Sequence, residues 1–181
     1  MTDSANAWRQ SSPGIEGWEK TARPGAANKH FMISADCHAN EPYDFLSSRI
    51  DEKYRARLPR METDDKGDKW QITEGYRPIR IRFKQPLEGE DGLRNSSGAS
   101  PEERLKDMAA DGVDAEIIFP NKGLAMWATP DSEFAMAQCR CWNDWAWGTF
   151  GAYNDRMSPV ACLATGDMAG SIAEVQRTAA L

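Results

Sequence analysis

The sequence predicts an α/β fold built on a parallel sheet, and three observations predict it. Apolar runs of strand length recur at Phe31–Ala35, Val113–Phe119 and Pro159–Ala164. Segments with helical periodicity lie before and after the second run and follow the third. Helix start and stop residues mark the joins. Strands alternating with helices of this length imply β/α crossover units, which require parallel pairing.

The elements follow in order. Residues 1–28 are rich in Ser, Gly, Ala, Asn and Pro and carry no periodic apolar pattern, so they are expected to form a flexible N-terminal arm. Trp8, Ile15 and Trp18 give that arm a means of docking on a partner surface. The folded part is expected over 29–181. The strand Phe31–Ala35 leads directly into Asp36-Cys37-His38, and a short helix is expected from Pro42 to Arg49. Residues 51–99 are polar and rich in Gly, Pro and charge, an excursion from the sheet; WQITEGY and PIRIRF alternate well enough to pair as a hairpin.

Regular grammar then begins. Ser100-Pro101-Glu102-Glu103 reads as a capping box with Pro at the first helical position. The helix runs through Leu105, Met108 and Ala109 and stops at Gly112. Thr129-Pro130 opens a long helix through Phe134, Ala137, Trp142 and Trp145, and Asp167 caps a last one through Ile172 and Val175. Three β/α units cannot close an eight-stranded barrel, which takes ~200–250 residues. A three-stranded parallel sheet keeps an open edge. The residues alone thus leave two architectures, a small open α/β domain or part of a larger barrel. A homo-oligomer is one way to cover the edge, and several tryptophans of the long helix are expected to lack partners.

Composition excludes some function classes. The net charge is −6 with acid and base interspersed, which speaks against a nucleic-acid surface. No apolar run approaches the ~20 residues of a membrane span. The first residues contain no hydrophobic stretch of signal-peptide type. Cys37, Cys139, Cys141 and Cys162 form no CxxC pair, so free thiols in a reducing, cytoplasmic setting are expected.

The chemistry sits in SADCH. Active sites of parallel α/β folds lie at the carboxyl ends of strands. Residues i and i+2 of an extended chain point the same way. Asp36 and His38 can therefore present a carboxylate oxygen and an imidazole nitrogen to one divalent ion, Zn²⁺ first, with Mn²⁺ and Fe²⁺ as alternatives. The competing reading is a surface aspartate beside a satisfied histidine. Cys37 faces the other way as a small packing residue, and His30 lies at the far end of the strand.

ISADCHANEP resembles the opening stretch of the amidohydrolase-related family, which includes aminocarboxymuconate semialdehyde decarboxylase and the dihydroxybenzoate decarboxylases. RLKDMAADGVDAEIIFP is similar to that family's first-helix and second-strand segment. CRCWNDWAWGTFGAYNDRMSPVACLATGDMAGSIAEV is similar to the next helix, strand and helix. The resemblance spans about residues 30–181. It implies the N-terminal portion of a (β/α)8 TIM barrel, truncated after about three β/α units, with one divalent metal. Asp36 and His38 match the family's first-strand ligand pair. Glu41-Pro42 matches the EP that follows, which makes Glu41 a group behind the ligands or beside the substrate; a carboxylate at a helix start is the alternative. The loop Asn121–Trp127 would border a small-molecule substrate, with Lys122 meeting a carboxylate and Trp127 walling an aromatic ring, against the alternative of a solvated lysine and a packed tryptophan.

The family's remaining ligands and its catalytic histidine come later in the chain, and this sequence has no His after His38. The catalytic residues are thus expected beyond Leu181, and the 181-residue chain by itself is expected to be inactive. The implied activity is that of a metal-dependent carboxy-lyase or hydrolase acting on a small carboxylate or aromatic substrate. The alternative is a non-catalytic α/β binding or assembly module.

Overall fold

The computed structural model describes residues 32–81 and 100–181. The expected arm over 1–28, His30, Phe31 and the second part of the excursion lie outside the described residues. In chain order the elements are β1 (Ile33–His38), α1 (Glu52–Arg55), β2 (Arg60–Thr63), β3 (Lys69–Ile72), β4 (Ile79–Ile81), α2 (Pro101–Asp111), β5 (Ala115–Phe119), α3 (Ser132–Phe150), β6 (Met157–Pro159) and α4 (Met168–Thr178). Short 3₁₀ turns occupy Lys122–Ala125 and Gly151–Tyr153.

The strands β1, β5 and β6 form a parallel sheet in the order β1-β5-β6. One sheet face is packed and the other is open. Ser34, Glu116 and Met157 share a register line, as do Cys37, Ile118 and Pro159. On this side Ile118 and Met157 join Met108 of α2 and Phe134 and Trp142 of α3 in the core. The alternate positions Ile33, Ala115, Ile117, His38 and Phe119 are partly or fully exposed. Strand periodicity sends neighbouring residues to opposite faces, so one side of the sheet faces the helices and the other lies partly open to solvent.

Helix α3 holds the core together. Eleven of its nineteen residues are buried, which makes it a central helix rather than a surface one. Trp142 lies tilted against Trp145 at 5.3 Å between ring centroids, and Trp145 meets Phe150 edge-on at 6.0 Å. Both tryptophans are buried within this chain, so the partners expected to be missing for some of Trp142, Trp145 and Trp147 are not missing for these two. Their cover comes from the segment after β1: Phe45 lies 6.2 Å from Trp145, and Tyr54 lies 5.2 Å from Phe134.

Four local expectations are corrected. Residues 43–49 form consecutive turns instead of a helix; the bonds Phe45 N–H to Pro42 O and Ile50 N–H to Leu46 O wind the chain without a continuous ladder. The capping box does not form, because Ser100 donates to Glu102 at 2.8 Å while Glu103 holds Lys106 at 2.5 Å. Pro101 still opens α2, and Gly112 closes it in the left-handed conformation at φ 73°. The long helix starts at Ser132, capped by Asp131, which accepts from the Glu133 and Phe134 amides. The third strand is Met157–Pro159 instead of Pro159–Ala164.

The last shift has a physical cause. Beyond Val160, whose N–H still reaches Ile118 O at 3.0 Å, the chain is captured by a side chain. Asn143 donates to Cys162 O at 3.0 Å and accepts from Cys162 N–H at 2.7 Å, imitating a neighbouring strand. Its amide also donates to the buried Glu174 at 2.7 Å.

The excursion is a three-stranded antiparallel meander, β2-β3-β4. The hairpin expected from WQITEGY and PIRIRF is its second half; β2 had no apolar alternation to announce it. Arg57 ties the meander to α3, donating to Glu74 at 2.8 and 2.5 Å and to Asp131 at 2.7 Å. Thr129 adds a bond to Glu74 at 2.6 Å. Among the described residues no helix is long and apolar enough to cross a membrane.

Two outcomes are expected. Replacing Asn143 by Ala strands the Cys162 N–H and C=O in the core and removes one of the donors to Glu174, which keeps Arg177, so urea unfolding should report a loss of about 3 kcal/mol. The Arg57 guanidinium pulls the Glu74 carboxyl down to about 2 from its ordinary 4.5. A depressed carboxyl stabilises the fold fully above its ordinary value and less as pH falls toward the folded one. Stability should therefore decline between pH 4.5 and about 2, and Glu74→Gln should flatten that part of a urea-midpoint against pH profile.

Candidate functional site

Strands β1, β5 and β6 run parallel, so their carboxyl ends and the loops that follow gather at one edge of the sheet. Strand β1 ends in Asp36-Cys37-His38, inside the strand rather than after it. Its register against β5 slips between Ser34 and Cys37, where two residues of β1 face one of β5. Such a bulge re-aims side chains. Asp36 Oδ1 and His38 Nε2 come within 3.4 Å of each other, with the Asp36 side chain 88% and the His38 side chain 40% exposed.

The second ring nitrogen of His38 is fixed. Its Nδ1 lies 2.7 Å from Pro120 O. A carbonyl oxygen only accepts, so Nδ1 must carry the hydrogen. In the neutral ring the lone pair is then at Nε2, the nitrogen turned toward Asp36. A neutral imidazole nitrogen beside a carboxylate, with the opposite N–H bonded to a main-chain carbonyl, is the arrangement metal-binding histidines use. The pair fits as part of a Zn²⁺, Mn²⁺ or Fe²⁺ site. Among the described residues no group of three His, Cys, Asp or Glu side chains assembles that would complete it. Phe119 packs beside the imidazole at 6.1 Å between centroids.

Arg104 of α2 holds the strand end from the helix side. It donates to His38 O at 3.1 Å and to Glu116 at 2.7 and 3.0 Å. This contact was missed in the sequence, where Arg104 reads as one more charge on a helix and Glu116 as an odd polar residue in an apolar strand. A lone Glu inside AEIIF was the available signal, since a half-buried strand carboxylate needs a cation.

The other three predicted site residues are each engaged elsewhere. Glu41 is 1% exposed, and its two oxygens accept from three consecutive amides: Asn121 at 2.9 Å, Lys122 at 2.9 Å and Gly123 at 3.1 Å. A carboxylate with that many internal donors is committed to the loop after β5, which displaces both the substrate-side and the helix-start readings of this residue. Lys122 Nζ donates to Asn40 Oδ1 at 2.8 Å and to Glu41 O, and it lies 5.0 Å from the Tyr43 ring centre. Trp127, partly exposed, donates from Nε1 to Leu163 O at 2.6 Å and so ties the loop after β5 to the segment after β6.

The thiols are unsuited to nucleophilic work. Cys37 donates to Ser34 Oγ at 3.0 Å, and partial burial raises its pKa. Burial pushes Cys139 up to about 12 and Cys141 up to about 11, and raises Cys162 as well. All four are unpaired and stay protonated near neutrality.

No protein-family model and no curated protein sequence matches the chain. Among solved structures it is similar to an amidohydrolase from Mycobacterium avium subsp. paratuberculosis K-10, with a TM-score of 0.65 and 18% identity over 85% of this chain and 48% of that chain. At that identity the likeness is one of fold. The chain spans about half the length of that structure, and over that half its parallel β/α units follow the fold of that structure.

Proposed function

We propose that the chain carries the first-strand part of the metal site of an amidohydrolase-type enzyme, with Asp36 and His38 as two of the metal's ligands. The observation that supports this most is the Nδ1–H bond from His38 to Pro120 O, which turns Nε2 toward Asp36 at the carboxyl end of the first parallel strand. The alternative of a histidine satisfied on both sides is disfavoured, because Asp36 is almost fully exposed and holds the ring only at 3.4 Å.

A bound Zn²⁺, Mn²⁺ or Fe²⁺ would supply Lewis-acid polarisation of a substrate oxygen. The chain's own residues do the rest of what this part of a site can do. His38 would offer Nε2 of a ring held in place at Nδ1, and Asp36 a carboxylate. Lys122 puts positive charge near the strand ends, where a substrate carboxylate would be drawn, and Trp127 offers a ring face. The substrate class is accordingly a small carboxylate or aromatic molecule, and the reaction is decarboxylation or hydrolysis. Among the described residues no further His, Cys, Asp or Glu joins the pair to complete a site or to choose between these reactions. Four unpaired thiols suit a reducing, cytoplasmic setting.

A non-catalytic assembly role is the second reading. It is favoured by the half-open sheet face and by Met168, Ile172 and Val175, which stand exposed at helical spacing on α4. The same surfaces make self-association of the 181-residue chain the expected result in light scattering.

The test is a calorimetric Zn²⁺ titration of the full chain. Two protein ligands leave an ion largely hydrated, so weak binding is expected, without turnover of aromatic carboxylates. His38→Ala and Asp36→Asn should each abolish that binding. Binding that persists in both variants would remove these residues from the metal site, and tight stoichiometric binding with turnover would show a site more complete than the one described.

A further inference from the structure

We infer that Glu41 is a positioning residue for His38, acting through the single peptide unit that joins Pro120 to Asn121. The inference deepens the metal-site reading and rests on it for its functional meaning, but the hydrogen-bond relay itself needs no metal.

The geometry is compact. The carbonyl of the Pro120–Asn121 peptide accepts from His38 Nδ1 at 2.7 Å, and the N–H of the same peptide donates to Glu41 Oε1 at 2.9 Å. A trans peptide is planar, with its C=O and N–H pointing in opposite directions. Fixing the N–H therefore fixes where the carbonyl points. Glu41 adds a hold on each of the next two amides, from Lys122 and Gly123. Three consecutive N–H groups on one buried carboxylate leave that plane no freedom to turn. The other end of the relay is equally set, because Arg104 grips His38 O at 3.1 Å and Ala39 N–H bonds Phe119 O at 2.9 Å.

The consequence is a choice of tautomer. If the peptide turned, His38 Nδ1 would lose its acceptor and the ring could carry its hydrogen on Nε2 instead. That nitrogen would then be a donor, unable to ligate. Glu41 thus selects the form of His38 that presents a lone pair toward Asp36. A glutamine in its place would turn an amide donor toward at least one of the three N–H groups, so the site requires a carboxylate and not merely a side chain of that size.

Gly123 gives a second handle on the same plane. A Cβ there would meet Pro120 Cβ at 2.9 Å and Met126 Cε at 3.0 Å, so Gly123→Ala presses on Pro120 while leaving the Glu41 and His38 side chains unaltered in chemistry.

The experiment is ¹⁵N NMR of the imidazoles in the full metal-free chain, well above the ordinary histidine pKa of about 6.5. The chain has two histidines, and a His30→Gln background isolates the signal of His38. The wild type should show the Nδ1–H form. Glu41→Gln, Glu41→Asp and Gly123→Ala should each convert that single form into a mixture containing Nε2–H. Asn143→Ala, which loosens the core elsewhere, should lower stability and leave the tautomer unchanged. An Nε2–H ring in the wild type overturns the inference without any variant. So do folded Glu41 variants that keep pure Nδ1–H, or an Asn143→Ala chain that shifts the tautomer as far as they do. Failure of Zn²⁺ binding alone would count against the metal reading and leave the relay standing.

Discussion

The constraint on which the rest of this structure depends is the burial of α3. A helix with Phe134, Trp142, Trp145 and Phe150 inward cannot be satisfied by one face of a three-stranded sheet. Ile118 and Met157 cover it from the sheet, and Phe45, Leu46, Ile50 and Tyr54 cover it from the segment after β1. A large aromatic core cluster of this kind is worth more than any single polar contact in the chain; truncating one such ring costs on the order of 3–5 kcal/mol. The turns at 43–49 and the Arg57 bridge to Asp131 follow from the same need, because they place the excursion against the helix instead of letting it trail.

The candidate site inherits its order from that packing. The sheet gives the strand ends, α2 supplies Arg104 to the His38 carbonyl, and the loop after β5 supplies the acceptor for His38 Nδ1. The buried carboxylates among the described residues have partners, Glu41 among amides, Asp114 with the Met32 N–H at 2.8 Å and Glu174 with Arg177 at 2.7 Å, and the half-buried Glu116 has Arg104. A buried carboxylate kept without its donors would be strongly destabilising, so each marks a place where the fold is specified rather than merely tolerated. Asp36 is the exception, an exposed carboxylate aimed at a ring nitrogen, and exposure of that kind is what a ligand-binding group needs.

Much of the fold was legible because its signals are local. Pro101 and Gly112 bracket α2, Asp167 caps α4 by accepting from Gly170 N–H at 2.9 Å, and the AEIIF run is a strand. The Asp36 and His38 pair was also legible, since spacing and strand end are both sequence features. What escaped notice depends on distant partners. Strand β2 reads RMET and pairs only because β3 is there to receive it. Residues 160–164 look like a strand, yet Asn143 takes the backbone groups of Cys162 that a ladder would use. The role of Glu41 is set by amides about eighty positions away, beyond any window of periodicity.

That separation bears on how the chain folds. Strand β1 has its sheet partner 82 residues further on, where Met32 N–H meets Asp114 and His38 meets Pro120. Closing so long a loop in an open chain costs entropy that grows with the logarithm of its length, and no contact repays it until the ends meet. The meander of β2, β3 and β4 forms from neighbours in sequence and shortens the path. Strand β1 is thus the member of the sheet with the least local support. The Asp36 and His38 pair at its end owes its 3.4 Å geometry to contacts that lie far away in sequence.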